Sequence, residues 1–196
     1  MSRVRAAPVK SIKSVMEQGS RNMNKFYITG ISGVGKSSLV KELRKSGIQA
    51  YDLDDTELCH WKHKVNGTKA EYYTGIGRDW LEAHDYVCDS GGLKKLIDVE
   101  SDTVVVIAGL ASNQNEYIAL FDKIFLLHCS EKTFLHRLNT RDEGNKFAKD
   151  TSEQEHILNW YKDFEKEVRE KGAISINTDS PLQSVTKQVV SHMSPK

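Results

Sequence analysis

The chain has few cysteines: Cys59, Cys88 and Cys129 stand far apart and form no C-x-x-C pair. An odd, sparse set argues against a disulfide framework and suits a reducing compartment. Cys59-His60-x-x-His63 lacks a fourth ligand at a recognised spacing, so it reads as structural or surface residues rather than a metal site. Long apolar runs are also missing. The longest, Val104 to Ala111, falls far short of the roughly 18 residues of a membrane span. No excess of one charge is present, since the formal net charge is +1. That gives no overall electrostatic reason to expect a nucleic-acid partner. Internal repeats and low-complexity tracts are absent, and 196 residues suit one domain better than two. The expectation is a cytoplasmic protein, monomer or homodimer, with no membrane or nucleic-acid partner.

The first 22 residues differ from the rest of the chain. Arg3, Arg5, Lys10, Lys13 and Arg21 face one acid, Glu17, among scattered serines. A basic, flexible tail is expected over 1–22, with a tag remnant or an organellar presequence as alternatives. The domain is expected over 23–196.

From there strands and helices alternate. Phe26–Thr29 reads as a strand and Lys36–Lys45 as a helix closed by Gly47. Ile48–Tyr51 reads as a strand, Thr56–Asp98 as mostly helical, and Val104–Ala108 as a central strand covered on both faces. Lys123–His128 is a strand and Glu131–Leu138 a helix. A charged segment comes next, then a helix to about Lys171 with Ser152-x-x-Glu155 as its capping box. Ala173–Ile176 is the last strand, and Pro181 opens the last helix. This alternation predicts an α/β fold, a parallel sheet with helices on both faces.

The chemistry is concentrated in Gly30-Ile31-Ser32-Gly33-Val34-Gly35-Lys36-Ser37, which fits G-x-x-x-x-G-K-[ST] at every fixed position. A loop that wraps a triphosphate must aim backbone N–H groups inward from conformations that glycine reaches freely. The helix after it offers unpaired N–H groups and its positive dipole end to the same oxygens. Lys36 adds a full charge near the β- and γ-phosphates, and the Ser37 hydroxyl suits Mg²⁺. Ser38 stands beside it for the α-phosphate. The loop comes after a predicted strand and opens a predicted helix, as a phosphate-binding loop requires. Guanine-reading GTPases need N-K-x-D; Asn145-Lys146-Phe147-Ala148 lacks the aspartate, and Asp89-Ser90-Gly91-Gly92 precedes a strand instead of ending one.

Over roughly Lys25 to Ser191 the chain resembles the small P-loop kinases related to adenylate kinase, shikimate kinase and gluconate kinase. The resemblance rests on the P-loop, Asp52-x-Asp54 after the second strand, an apolar third strand, Arg137-x-x-x-Arg141, and a short loop before the last helix. It implies a three-layer α/β/α fold with a five-stranded parallel sheet in the order 2-3-1-4-5, a helical substrate-side region and a short lid at about 141–151. It also implies ATP and Mg²⁺, with a γ-phosphoryl group passing to a small-molecule acceptor. Asp52 would then help hold the metal or its waters. Asp54 would orient or deprotonate the acceptor hydroxyl, with Asp55 as the alternative if the register differs by one. A helix-capping cluster is the other reading of these acids. Arg137 would stack on the adenine, Arg141 would reach the transferring phosphate, and Thr178 would lie where related kinases touch the base.

On the acceptor side, Arg78 offers a guanidinium for an anionic group. Gly109 would permit close approach of substrate after the third strand. Ser112, Asn113 and Gln114 present a hydroxyl and amides at the same edge. The third strand ends Ile107-Ala108-Gly109 without a Walker-B aspartate. The D-G-[FY]-P-R and D-R-[YFH] signatures of adenylate and thymidylate kinases and the four-cysteine zinc lid are absent. The alternatives are a nucleoside monophosphate kinase and an ATP-driven switch module.

Overall fold

The structure is a computed structural model that describes residues 24–99, 103–140 and 147–193. The basic segment 1–22, Arg141 and most of the expected lid lie outside the described residues. β1 (Lys25–Thr29) runs into the P-loop and α1 (Lys36–Lys45), and β2 (Gln49–Asp52) comes after them. β3 (Cys59–His63), β4 (Lys69–Ala70), α2 (Arg78–Ala83), β5 (His84–Cys88) and α3 (Ser90–Val99) fill the next stretch. Then come β6 (Val105–Ala108), β7 (Lys123–His128), α4 (Glu131–Thr140), α5 (Thr151–Glu170), β8 (Ile174–Asn177) and α6 (Leu182–Met193).

β2, β6, β1, β7 and β8 form one parallel sheet in that spatial order. Counted along the chain, this is the implied order 2-3-1-4-5. Alternation along the strands explains the two cores. Phe26, Ile28, Val106, Phe125 and Leu127 face one layer with Leu39 and Leu43 of α1 and Val189 of α6. Tyr27, Val105 and Ile107 face the other, with Leu93 and Ile97 of α3 and with Tyr117 and Phe121. Both faces of β6 are therefore covered, which is why its sequence is continuously apolar. The registers Asp52↔Ala108, Ile28↔Ala108, Thr29↔Leu126 and His128↔Asn177 bring the carboxyl ends of all five strands to one edge. Ligands collect at that edge in open α/β sheets.

The stretch Thr56–Asp98 corrects the expectation of a mostly helical region. β4, β3 and β5 make a separate antiparallel sheet, and only α2 and α3 are helical there. Asn66-Gly67 makes the β3–β4 turn, with Gly67 at φ +71° and its N–H donating to the His63 carbonyl. Asn-Gly between runs of strand-forming residues is a hairpin signal. The glycine was visible in the sequence, but its neighbours carry no simple two-residue alternation to announce strands. The cap of α5 is a second, smaller correction. Asp150 is the N-cap and accepts from the Ser152 N–H at 2.9 Å.

Candidate active site

The P-loop leaves β1 at a point where no side chain fits. A Cβ on Gly30 would lie 2.5 Å from the Leu127 carbonyl oxygen, and the backbone there has φ +147°. Gly33 and Gly35 also hold positive φ, and Gly35 is the N-cap of α1 with no side chain capping the helix. The first turn of α1 carries no acid, and Ser37 and Ser38 are exposed within it. Uncapped N–H groups at a helix start without a nearby carboxylate make an anion-receiving end. The Lys36 ammonium is buried and donates to the carbonyls of Gly30 at 2.6 Å and Ile31 at 3.1 Å, which fixes it within the loop.

Arg137 and Thr178, which are 41 positions apart, meet at this loop. The Arg137 guanidinium donates to the Thr178 hydroxyl at 3.1 Å, to the Thr178 carbonyl at 2.6 Å and to the Val34 carbonyl at 3.2 Å. The Thr178 hydroxyl donates to the same Val34 carbonyl at 2.8 Å. The end of α4, the turn after β8 and the P-loop are thus clasped together by hydrogen bonds from a charged donor, the stronger kind.

Asp52 ends β2 beside Ala108, the place on β6 where a Walker-B aspartate would be sought. It is 1% exposed. Its Oδ1 accepts from the Asp54 N–H at 3.2 Å, while Oδ2 has no hydrogen-bond partner among the described residues. A buried carboxylate oxygen without a partner is costly, so its presence at a ligand edge fits a cation or its water shell. Among the described residues no group of three or more His, Cys, Asp or Glu could hold a metal. Asp52 Oδ2 and the Ser37 hydroxyl would suit Mg²⁺, which takes one or two protein oxygens and completes its shell with water and phosphate. The capping reading of this pair is seen directly for Asp52, which caps the short 3₁₀ turn Leu53–Asp55.

Asp54 accepts from the Tyr86 hydroxyl at 3.2 Å. Burial lifts its carboxyl above the ordinary aspartate range; Lys36 opposes that lift, Asp52 adds to it, and the Tyr86 hydrogen bond opposes it. Asp54 as a residue is exposed at the surface, yet protein atoms crowd around its carboxyl. Its ionised form is therefore poorly hydrated, which accounts for the upward direction. A carboxylate shifted toward neutrality and lining a cleft is suited to accept a proton.

Ser32, Lys36, Asp54 and Asp55 line one end of a cavity of about 890 Å³. The cavity continues between the antiparallel sheet and α5, walled by Trp61, Tyr72, Tyr86, Phe147, Trp160 and Phe164. Trp61 is the hub of this wall, with ring centroids 5.2 Å from Tyr86, 5.9 Å from Phe147 and 6.1 Å from Tyr72. Behind Tyr72, the fully buried Glu153 accepts from its hydroxyl at 2.8 Å and from the Ala148 N–H at 3.0 Å. None of these aromatic residues stands out in the sequence. All three tryptophans, at 61, 80 and 160, belong to the aromatic clusters around the cavity, and that clustering is invisible along the chain.

The acceptor-side expectations divide. Ser112 and Gln114 line the cavity; Gln114 accepts from the Thr29 hydroxyl at 3.1 Å. Asn113 instead binds backbone: its amide accepts from the Cys88 N–H and donates to the Cys88 carbonyl, both at 2.9 Å. It thereby extends β5 by mimicking a strand partner. Gly109 is required by packing, since a Cβ there would lie 2.7 Å from Leu53 Cδ1. Arg78 does not line the cavity and pairs with Glu82 at 2.6 Å, one helical turn along α2. The fold also sets Cys59 and Cys88, distant in sequence, directly opposite each other across β3 and β5 as free thiols.

A family model described as an AAA domain matches residues 27–159, more than half of the chain. Among solved structures, deoxyadenosine kinase from M. mycoides with bound dATP is similar in fold. It shares 15% identity at a TM-score of 0.53, over 87% of this chain and 100% of that one. Shikimate kinase from Acinetobacter baumannii in complex with shikimate shares 14% identity at a TM-score of 0.53, over 93% of this chain and 96% of that one. Shikimate kinase from Aquifex aeolicus shares 18% identity at a TM-score of 0.51, over 84% and 93% of the two chains. At these identities the likeness is one of fold. No match is found among curated proteins. No described helix is long and apolar enough to cross a membrane.

Proposed function

The chain belongs to the AAA-domain family whose model spans residues 27–159, and from that membership we propose that it transfers the γ-phosphoryl group of ATP to a hydroxyl on a small molecule. The observation that carries this reading is the single cavity shared by Ser32, Lys36 and Asp54 and extended into an aromatic pocket large enough for an acceptor. A hydrolytic switch has no need of such a pocket. The fold shared with deoxyadenosine and shikimate kinases supports the same reading.

In this mechanism the P-loop amides and Lys36 hold the β- and γ-phosphates, and Arg137 and Thr178 border the base. Ser37 and Asp52 would hold Mg²⁺, which when bound neutralises charge on the phosphate oxygens. Asp54, steadied by Tyr86, accepts the acceptor's hydroxyl proton as its oxygen attacks the γ-phosphorus. The new O–P bond forms as the bond to the β-phosphate oxygen breaks, and ADP leaves. Positioning and charge neutralisation provide most of the acceleration in such transfers. Arg141, in the segment outside the described residues, is proposed to supply positive charge to the departing group.

A nucleoside monophosphate acceptor would need guanidinium groups for its phosphate. Arg78 is paired with Glu82, and no arginine lines the cavity among the described residues. That argues for a hydroxyl acceptor. ADP release is to be measured with wild-type protein and a panel of hydroxylated metabolites and nucleotides, beside the Lys36→Ala variant. Acceptor-stimulated release that falls by about 10³-fold or more in the variant is expected, on the scale of lost phosphate-charge stabilisation. Full activity of Lys36→Ala with every acceptor would refute the mechanism.

A further inference from the structure

The composition of the cavity narrows the acceptor further, on the premise that phosphotransfer is the reaction. Its wall away from the P-loop is aromatic: Trp61, Tyr72, Phe147, Trp160 and Phe164 present partly buried rings to the space. Flat hydrophobic walls suit rings or compact apolar groups, and ring faces carry negative potential that attracts cations.

Among the described residues, the charges facing the same space are mostly negative. Asp54, Asp55, Asp85, Asp163 and Glu167 line it against Lys36 and Lys64. Lys36 is committed to the phosphate end. Lys64 lies 3.8 Å from Asp85, and Glu167 is already matched by Lys171 on the next turn. Among the described residues neither Asp55 nor Asp163 belongs to an ion pair, which leaves these two carboxylates in surplus beyond the catalytic Asp54. Two histidines, His84 and His156, also line the cavity. Burial holds His156 below its ordinary value, with Glu82 opposing that and Arg78 and Lys64 adding to it, so it supplies little positive charge near neutral pH. His84 stacks on Trp80 at 4.0 Å, and its Nδ1 is hydrogen-bonded to the Trp80 carbonyl at 2.8 Å.

Among the described residues, an anionic acceptor entering this space would meet like charge and no guanidinium. A neutral one would gain nothing from Asp55 and Asp163, two exposed carboxylates that line the space without an ion-pair partner among the described residues. We infer that the acceptor is a hydroxyl-bearing organic cation, its positive group held against the Trp61–Trp160 aromatic wall with Asp163 as counter-charge and its hydroxyl directed toward Asp54. This chemistry is distinct from that of the carboxylate-bearing acceptor bound in the similar shikimate kinase.

Isothermal calorimetry on the full chain, with a non-hydrolysable ATP analogue and magnesium, tests it. The probes are choline and thiamine as cations, thymidine as a neutral hydroxyl compound, and shikimate and gluconate as anions. At least one cation is expected to bind about tenfold or more tightly than thymidine, with no detectable heat from the anions. Asp163→Asn, a surface-accessible position, is expected to weaken that cation by roughly three- to tenfold and leave thymidine unchanged; circular dichroism verifies its fold. Preference for thymidine or an anion, no binding by either cation, or equal weakening of all probes by Asp163→Asn would overturn the inference. ADP release separates the two claims. A bound cation with no ADP release sinks phosphotransfer and leaves the cation pocket standing. Release driven by shikimate or thymidine alone does the reverse.

Discussion

On the proposed reading, the nucleotide end and the acceptor end of the cavity are built by different means. The nucleotide end is a backbone device: glycines at positive φ, uncapped helix N–H groups and one lysine, all within eight consecutive residues from Gly30 to Ser37. The acceptor end is a side-chain device. Its wall gathers Trp61 from β3, Tyr86 from β5, Phe147 and Trp160 from α5 and the turn before it. Backbone devices tolerate little change, because a main-chain amide has a fixed position once the loop closes. Side-chain walls can be rebuilt residue by residue while the fold persists. On that proposed reading, one end carries the chemistry and the other the choice of substrate.

Substitutions along this division sharpen it. Asp54 lies where the two ends meet and should show the largest effect after Lys36. Asp54→Asn is expected to lower kcat by about 10²–10⁴-fold, as for loss of a positioned base. The same change should raise Tm near neutral pH. Because burial lifts the Asp54 carboxyl in the folded state, its ionised form costs stability at pH values above its unfolded pKa, and the amide removes that cost. A thermal melt and steady-state kinetics check both parts; a variant that loses stability and keeps activity would contradict the assignment.

Arg137→Ala breaks the clasp of the nucleotide end. KM for ATP should rise by about ten- to a hundredfold, the scale of lost hydrogen bonds from a charged donor, with the acceptor's KM little changed. Equal changes in both constants would mean that the clasp serves the whole domain and not the nucleotide end.

Tyr86→Phe tests the acceptor end more gently. A few-fold loss of kcat is expected, about the worth of one hydrogen bond. The acid limb of the kcat/KM profile should also move to higher pH. The Tyr86 hydroxyl stabilises the Asp54 carboxylate, so without it the proton is held more tightly and ionisation begins later. An unmoved limb would separate Tyr86 from the base. Arg78→Ala closes the series with no measurable change in kcat or KM, since its ion pair is solvent-exposed and outside the cavity.

The legibility of the sequence divides in the same way. The P-loop was readable because its requirements are local: glycine at set positions, then lysine and a hydroxyl, between a strand and a helix. Five parallel strands were readable because a run such as Val105–Ala108 fits only a strand covered on both faces. The antiparallel sheet was missed because β3, Cys-His-Trp-Lys-His, alternates neither cleanly polar with apolar nor with helical period. Its stability comes from pairing with β5 and from Trp61 packing on distant rings. Asn113 and Gly109 were noticed at the right edge and given the wrong partners. An amide looks the same in the sequence whether it meets a ligand or the Cys88 backbone, and a missing Cβ does not say what occupies its space.

By itself, the order of residues determined that a glycine-rich P-loop stands between a buried strand and a helix, and that strands and helices alternate around a parallel sheet. Those properties depend on dihedral preferences and on periodic burial, both of which act over a few residues. Only the tertiary structure decided that Arg137 and Thr178 close on Val34, that Asp52 stands beside Ala108, and that Asp54 lines a cavity walled by aromatic residues. Those are meetings between residues tens of positions apart, brought about by sheet order and by the packing of α5 over a second sheet.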